Sequence, residues 1–153
     1  MKHSALLYFL LIFLNLPAQE LEPEKAAVQK TIETFFEGFH RQDSTILKSV
    51  VAKDIILQTI SKTEKGKAFV STENFSNFLK SITGIPEDTK FQEIIKGYSI
   101  QVDGPMANAW TPYEFRIDEA FQHCGVNSFQ LFKDDDDWKI IYLIDTRRKV
   151  GCQ

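Results

Sequence analysis

Ala109-Trp110-Thr111-Pro112-Tyr113-Glu114-Phe115, His123-Cys124-Gly125-Val126-Asn127-Ser128-Phe129, Trp138-Lys139-Ile140-Ile141 and Asp145-Thr146-Arg147-Arg148 follow one another between Asn108 and Arg148. Apolar, aromatic and β-branched segments of this kind, separated by turn residues, predict consecutive strands. They also carry most of the polar side chains capable of chemistry. A sheet built from them is expected to form the wall of a pocket.

Working outward, Asp103-Gly104 is a tight-turn signal, and Phe91 to Val102 before it reads as one long strand. Asp134 to Asp137 forms an acidic hairpin tip between the last two strands. It lacks the glycine and distal glutamate of a calcium-binding loop, so a solvated turn is the expectation. Upstream the period changes. Val28, Ile32, Phe35, Phe36 and Phe39 recur at helical spacing after Pro23, and His40-Arg41 ends that helix. Asp43 can cap a second, shorter helix carrying Ile46, Leu47, Val50 and Val51. Ile55 to Ile60 predicts a strand, with Ala68 to Val70 pairing back across a turn around Gly66. Ser71 or Thr72 is expected to cap a third helix bearing Phe75, Phe78, Leu79 and Ile82, which Gly84 and Pro86 stop.

The fold class that follows is α+β: a cone-like curved antiparallel sheet wrapped around N-terminal helices. One domain, residues 19–153, accounts for the chain after a leader at 1–18. That leader has a short basic start at Lys2 and His3, an apolar run from Ala5 to Leu16, and a small residue at Ala18. Such a pattern predicts a cleavable export signal. The run of about 12 residues is short against the roughly 20 that span a bilayer. Export to the periplasm or the medium is therefore expected, with no membrane association afterwards.

The chain of 153 residues has a formal net charge of −3, and loss of the leader removes one lysine and no acid. A mildly acidic chain without a basic stripe argues against a nucleic-acid partner or docking to an anionic membrane. Cys124 and Cys152 form an even pair, and in an exported chain a disulfide between them and two free thiols are both open. No second cysteine or histidine stands at ligand spacing, so no metal site and no cofactor are expected.

Strand parity sorts the candidates. A two-residue tip at Asp135-Asp136 would set Asn127 opposite Ile144 and Phe129 opposite Tyr142. One face then gathers His123, Asn127, Phe129, Leu131, Ile140, Tyr142 and Ile144, joined by Tyr113 and Phe115 from the preceding strand. The other face holds Trp110, Glu114, Arg116, Asp145 and Arg147. A bulge would exchange these assignments along part of a strand. Tyr113, His123, Asn127 and Tyr142 are the polar groups on the apolar wall, with Phe129 among them. An apolar cavity with a few convergent polar groups is the usual form of a small-molecule site. Asp145 and Arg147, with Arg148 nearby, form either a surface ion pair or a contact for an anionic group. His123 is the weak candidate for acid–base catalysis, since a nearby carboxylate such as Asp145 or Glu114 could act with it.

The quoted segments resemble the group named for lumazine binding within the nuclear transport factor 2-like (also SnoaL-like) superfamily. The resemblance runs from Glu22 to Cys152 in element order. It is sharpest at His123-Cys124-Gly125-Val126-Asn127, Trp138 and Asp145-Thr146-Arg147-Arg148. It implies a curved antiparallel sheet around helices, a deep pocket, and a homodimer. That superfamily contains steroid isomerases, dehydratases and polyketide cyclases beside members that only bind, and no isomerase motif is matched here. The expected function is an exported protein binding a small, ring-shaped ligand in an aromatic-lined pocket. The alternative is an acid–base enzyme, an isomerase or dehydratase/cyclase, using the same pocket.

Overall fold

The computed structural model describes residues 18–152, with side chains from Pro23 onward. The expected export signal therefore lies outside the described residues, apart from Ala18. No helix among the described residues is long and apolar enough to cross a membrane.

Helix α1, Ala18–His40, buries the predicted stripe of Val28, Ile32, Phe35 and Phe36, with Phe39 packed beside it. It starts earlier than expected, so Pro23 lies inside the helix rather than in its first turn. The Glu24 carboxylate accepts from Lys133 Nζ at 2.7 Å and Trp138 Nε1 at 2.9 Å, pinning this helix to the last hairpin. Gln42, at φ 55°, turns the chain into α2, Ser44–Ser49. As predicted, Asp43 caps that helix, accepting from the Thr45 and Ile46 amides. A side chain at Gly38 would come within 2.9 Å of the Leu47 amide nitrogen, so glycine lets the two helices meet closely.

Strand β1, Val51–Lys62, returns through a turn at Gly66 into β2, Ala68–Glu73. Helix α3, Phe75–Thr83, is capped by Asn74, not by Ser71 or Thr72, because the chain stays extended in β2 through Glu73. Then come β3, Phe91–Ile95, and β4, Ser99–Asp103. The single strand expected over 91–102 is thus divided in two. The reason stands opposite: Lys96 N–H donates to the Pro112 carbonyl at 2.8 Å, yet Pro112 has no N–H to return. The ladder cannot continue there, and Lys96-Gly97-Tyr98 leaves it. Strands β5, Met106–Ile117, β6, Ala120–Asp134, and β7, Asp137–Arg148, complete the sheet.

The strand order is β2-β1-β7-β6-β5-β3, with β4 also on β5. All neighbours are antiparallel except β1 and β7, which run parallel and make the sheet mixed. That pairing is what brings the early hairpin beside the C-terminal strand. Helix α1 lies across the inner face from β3 and β4 to β7. There Phe35 and Phe36 meet Phe129 edge to face at 6.3 and 6.1 Å. Phe129 is fully buried, and loss of its ring would cost about 3–5 kcal/mol.

The register of β6 on β7 has two parts. From the tip, where Asp134 faces Asp137 as predicted, pairing is regular to Leu131↔Ile140. Ile141 is then bulged out, and Gln130 faces Tyr142. Beyond this point every β7 residue sits one position from its expected partner. Asn127 meets Asp145 rather than Ile144, and Phe129 meets Leu143 rather than Tyr142. The expected facing is corrected accordingly: Asp145 and Arg147 turn inward, and Tyr142 and Ile144 turn to the outer face.

Candidate functional site

At the open end of the inner face, three strands converge on one carboxylate. Asp145 is buried, and its Oδ1 accepts from the Thr59 hydroxyl of β1 at 2.5 Å. Its Oδ2 accepts from Tyr113 OH at 3.1 Å and from Arg147 Nε at 2.9 Å. Tyr113 starts on β5, two strands away, so its side chain must cross β6. It does so over Gly125, its register partner. A Cβ there would overlap the Thr146 carbonyl oxygen and stand 2.8 Å from Tyr113 OH. Glycine is what gives the tyrosine its path. Burial, with the charges of Asp145 and Glu93, holds the Tyr113 hydroxyl far above its ordinary pKa. It stays protonated and acts as a donor, also to the Thr146 carbonyl at 3.1 Å.

A second carboxylate stands beside this one. Glu93, on β3, accepts from Asn127 Nδ2 at 2.6 Å. Its own backbone N–H donates to His40 Nε2 at 2.9 Å, which ties β3 to the end of α1. Burial keeps His40 below its usual pKa, consistent with a neutral ring accepting at Nε2. Burial also raises the Glu93 carboxyl to about 7; the Asn127 hydrogen bond opposes the shift and the Asp145 charge adds to it. A carboxyl in that range can hold or release a proton near neutrality.

These groups line a cavity of about 90 Å³. Phe35, Phe36, Phe39 and Phe78 form its apolar side, and Glu93, Asn127, Asp145 and Arg147 its polar side. A water needs about 10–15 Å³ by the same measure, so there is room for several waters or a compact fragment.

The expected site residues divide across this geometry. Asn127, Asp145 and Arg147 line the cavity. Tyr113 lies behind Asp145 and positions it, while Phe129 is core. Tyr142 sits on the outer face and donates to Gln58 Oε1 at 2.5 Å. His123 shares the inner face but packs against Tyr113 and Phe115, with ring centroids at 5.8 and 5.0 Å. It has no hydrogen-bonded partner among the described residues and opens onto a separate groove. The pairing of His123 with a carboxylate in one cavity is therefore absent. Burial and the nearby Arg147 charge lower its pKa. Cys124 and Cys152 are joined in a disulfide, their Cα atoms 5.8 Å apart.

Sequence reasoning missed Glu93, Thr59, His40 and Gly125 as parts of the site. One signal was present: Phe91, Glu93 and Ile95 share a parity, which puts a carboxylate on the apolar face. Thr59 and His40 gave no such sign, because β1–β7 pairing and the docking of α1 on β3 decide their neighbours.

No family model and no curated protein matches the sequence. Solved structures do match. A nuclear transport factor 2-like protein with a cystatin-like fold from Novosphingobium aromaticivorans is similar at TM-score 0.67 and 11% identity, covering 94% of each chain. One of unknown function from Shewanella baltica is similar at 0.60 and 15%, covering 84% of this chain and 96% of that one. A candidate dehydratase of the same fold family from Streptomyces avermitilis is similar at 0.63 and 15%, covering 84% and 99%. Helices packed on one face of this sheet, and these likenesses over 84% to 94% of the chain, establish that the chain has the nuclear transport factor 2-like fold.

Proposed function

We propose that the protein binds a small molecule in the cavity between the α1 phenylalanines and the β1–β7–β6 wall. The observation that carries this reading is the division of that cavity. An aromatic side faces Glu93, Asn127, Asp145 and Arg147, so an apolar ring and its polar substituents have distinct places to go. The cavity's size favours a compact ring. Native mass spectrometry of the purified protein tests this, with an Asn127→Leu variant beside it. A retained small molecule that the variant loses is the expected result. A protein that retains nothing, and whose Asn127 and Phe36 resonances ignore small aromatic compounds, would sink the reading.

A second reading, acid–base catalysis, draws on one observation: a carboxyl with a pKa of about 7 lines that cavity. Glu93 is then the proton carrier, in place of His123, and Asp145–Tyr113 is a fixed polar neighbour. Turnover of an identified ligand that survives Glu93→Gln would remove this role.

Export fits the leader sequence, and a periplasmic or secreted location fits the disulfide. The group named for lumazine binding remains the finer reading of the His123 to Asn127 stretch. A homodimer through the outer sheet face fits exposed Trp110, Met106 and Ile56, which solution scattering would test.

A further inference from the structure

Beyond the cavity, at the ends of β1 and β7, lies an open groove of about 740 Å³. Among the described residues its charged lining is of one sign: Lys62, Arg147, Arg148 and Lys149, with His123 on the same wall and no carboxylate side chain. In a chain whose formal net charge is −3, this is a local reversal of field. Arg147 alone of the four is in an ion pair, with Asp145. Lys62, Arg148 and Lys149 have no ion pair among the described residues. Arg148 Nε instead reaches the Gly151 carbonyl at 3.4 Å, inside the tail.

That tail is held in place. Lys149 and Val150 lie between the end of β7 and Cys152, and the Cys124–Cys152 bond anchors them to β6. Val150 is 80% exposed, an apolar side chain on the rim of a cationic groove. Arg147 lines both the groove and the inner cavity, so the two share a wall.

We infer that this groove is an anion-recognition site for the carboxylate or phosphate of a small organic anion, whose uncharged end faces the inner cavity. Compact oxyanions suit the groove because lysine and arginine donors reach them through charge-assisted hydrogen bonds. The inference rests on the small-molecule reading for the uncharged end of the ligand and on the groove itself for the anion.

The test titrates the full chain with benzoate, with benzamide as its uncharged counterpart, and with inorganic phosphate, following backbone amide shifts. Benzoate is expected to bind at least about tenfold more tightly than benzamide and to move Arg147, Lys149 and Asn127 together. Phosphate should compete with it. The double variant Lys62→Gln/Lys149→Gln should weaken benzoate about tenfold and leave benzamide unchanged. A charge-matched control on exposed helix positions, Lys30→Gln/Lys80→Gln, should alter neither. Benzoate no tighter than benzamide, or an equal loss in both double variants, overturns the inference. If benzamide still moves Asn127, that failure belongs to the groove alone. If benzoate moves only the groove residues, the anion site stands and the cavity reading fails.

Discussion

Glu114 on β5 and Asp145 on β7 carry the same local motif. Each is a strand carboxylate with an arginine two residues on, Arg116 and Arg147, so each pair projects to one face. Their side chains are almost equally covered, at 16% and 11% exposed. What covers them differs. Glu114 lies on the outer face under Lys96, at 3.1 Å, and Arg116, at 3.3 Å, two cations that are themselves 40% exposed. Their hydrogen bonds, Lys96 first, hold its carboxyl below the usual range. Asp145 lies on the inner face, gripped by hydroxyls that β1 and β5 hold in place. One motif makes a surface ion cluster; the other makes the centre of a cavity wall. The bulge at Ile141 separates the two outcomes, because it sets which face Asp145 takes.

The sharpest way to break this contrast is to close the tyrosine's path. Gly125→Ala places a methyl group against the Thr146 carbonyl and Tyr113, and backbone cannot move aside cheaply. A loss of about 3 kcal/mol or more is expected in urea unfolding, together with loss of any retained ligand. Near-native stability would mean that Tyr113 does not need to cross β6. Next comes Asp145→Ala, which strips Thr59 and Tyr113 of their shared acceptor. Because Arg147 is 55% exposed and can turn to water, the expected loss is about 2–3 kcal/mol. A loss no larger than that of Glu114→Gln would erase the distinction between the faces.

Glu93 sharpens the contrast through pH. Its folded pKa of about 7 lies above the ordinary 4.5, so the native state binds its proton more tightly than the unfolded chain does. The corresponding stability is fully present below about 4.5 and is lost as pH rises through about 7. The cavity beside Glu93 has room for water, which would screen part of this and leave roughly 1–3 kcal/mol across the window. Glu93→Gln keeps an acceptor for Asn127 and cannot ionise. The variant should therefore show a flatter profile from pH 4.5 to 7 and be the more stable protein at pH 8. A profile that falls with pH as steeply as the parent's would remove Glu93 as the buried acid.

How much of this was legible follows from the range of the interactions. The phenylalanine stripe of α1, the Asp43 cap and the Asp135-Asp136 hairpin depend on neighbours within a turn or two, and each can be read from spacing. Parity puts Tyr113 and Asn127 on the inner face, and the structure agrees because β5 pairs with β6 without interruption from Ala107 to Phe115. The same parity puts Asp145 and Arg147 outside, and it fails there because one extra residue in β7, Ile141, reverses the facing beyond it. Nothing in Ile140-Ile141 distinguishes a bulge from a regular pair. Nor does Glu93 announce that β3 will cross over His40 and meet Asn127, 34 residues further along. Those contacts are set by how strands from distant parts of the chain align.

The smallest expected effect is the one that closes the contrast from the other side. Glu114→Gln removes a charge that Lys96 and Arg116 share, and both of those cations already reach solvent. Each gives up a flexible partner on a wet face and recovers hydration, so the change in unfolding midpoint should be lost in replicate scatter. The amide oxygen can still accept from Arg116, whose Nε is buried without a partner among the described residues and gains none by the change. Should Glu114→Gln instead destabilise the fold as strongly as Asp145→Ala, the outer face would be an energetic centre in its own right. A carboxylate with an arginine two residues on would then have equal weight on β5 and β7, and the bulge at Ile141 would explain position without explaining energy.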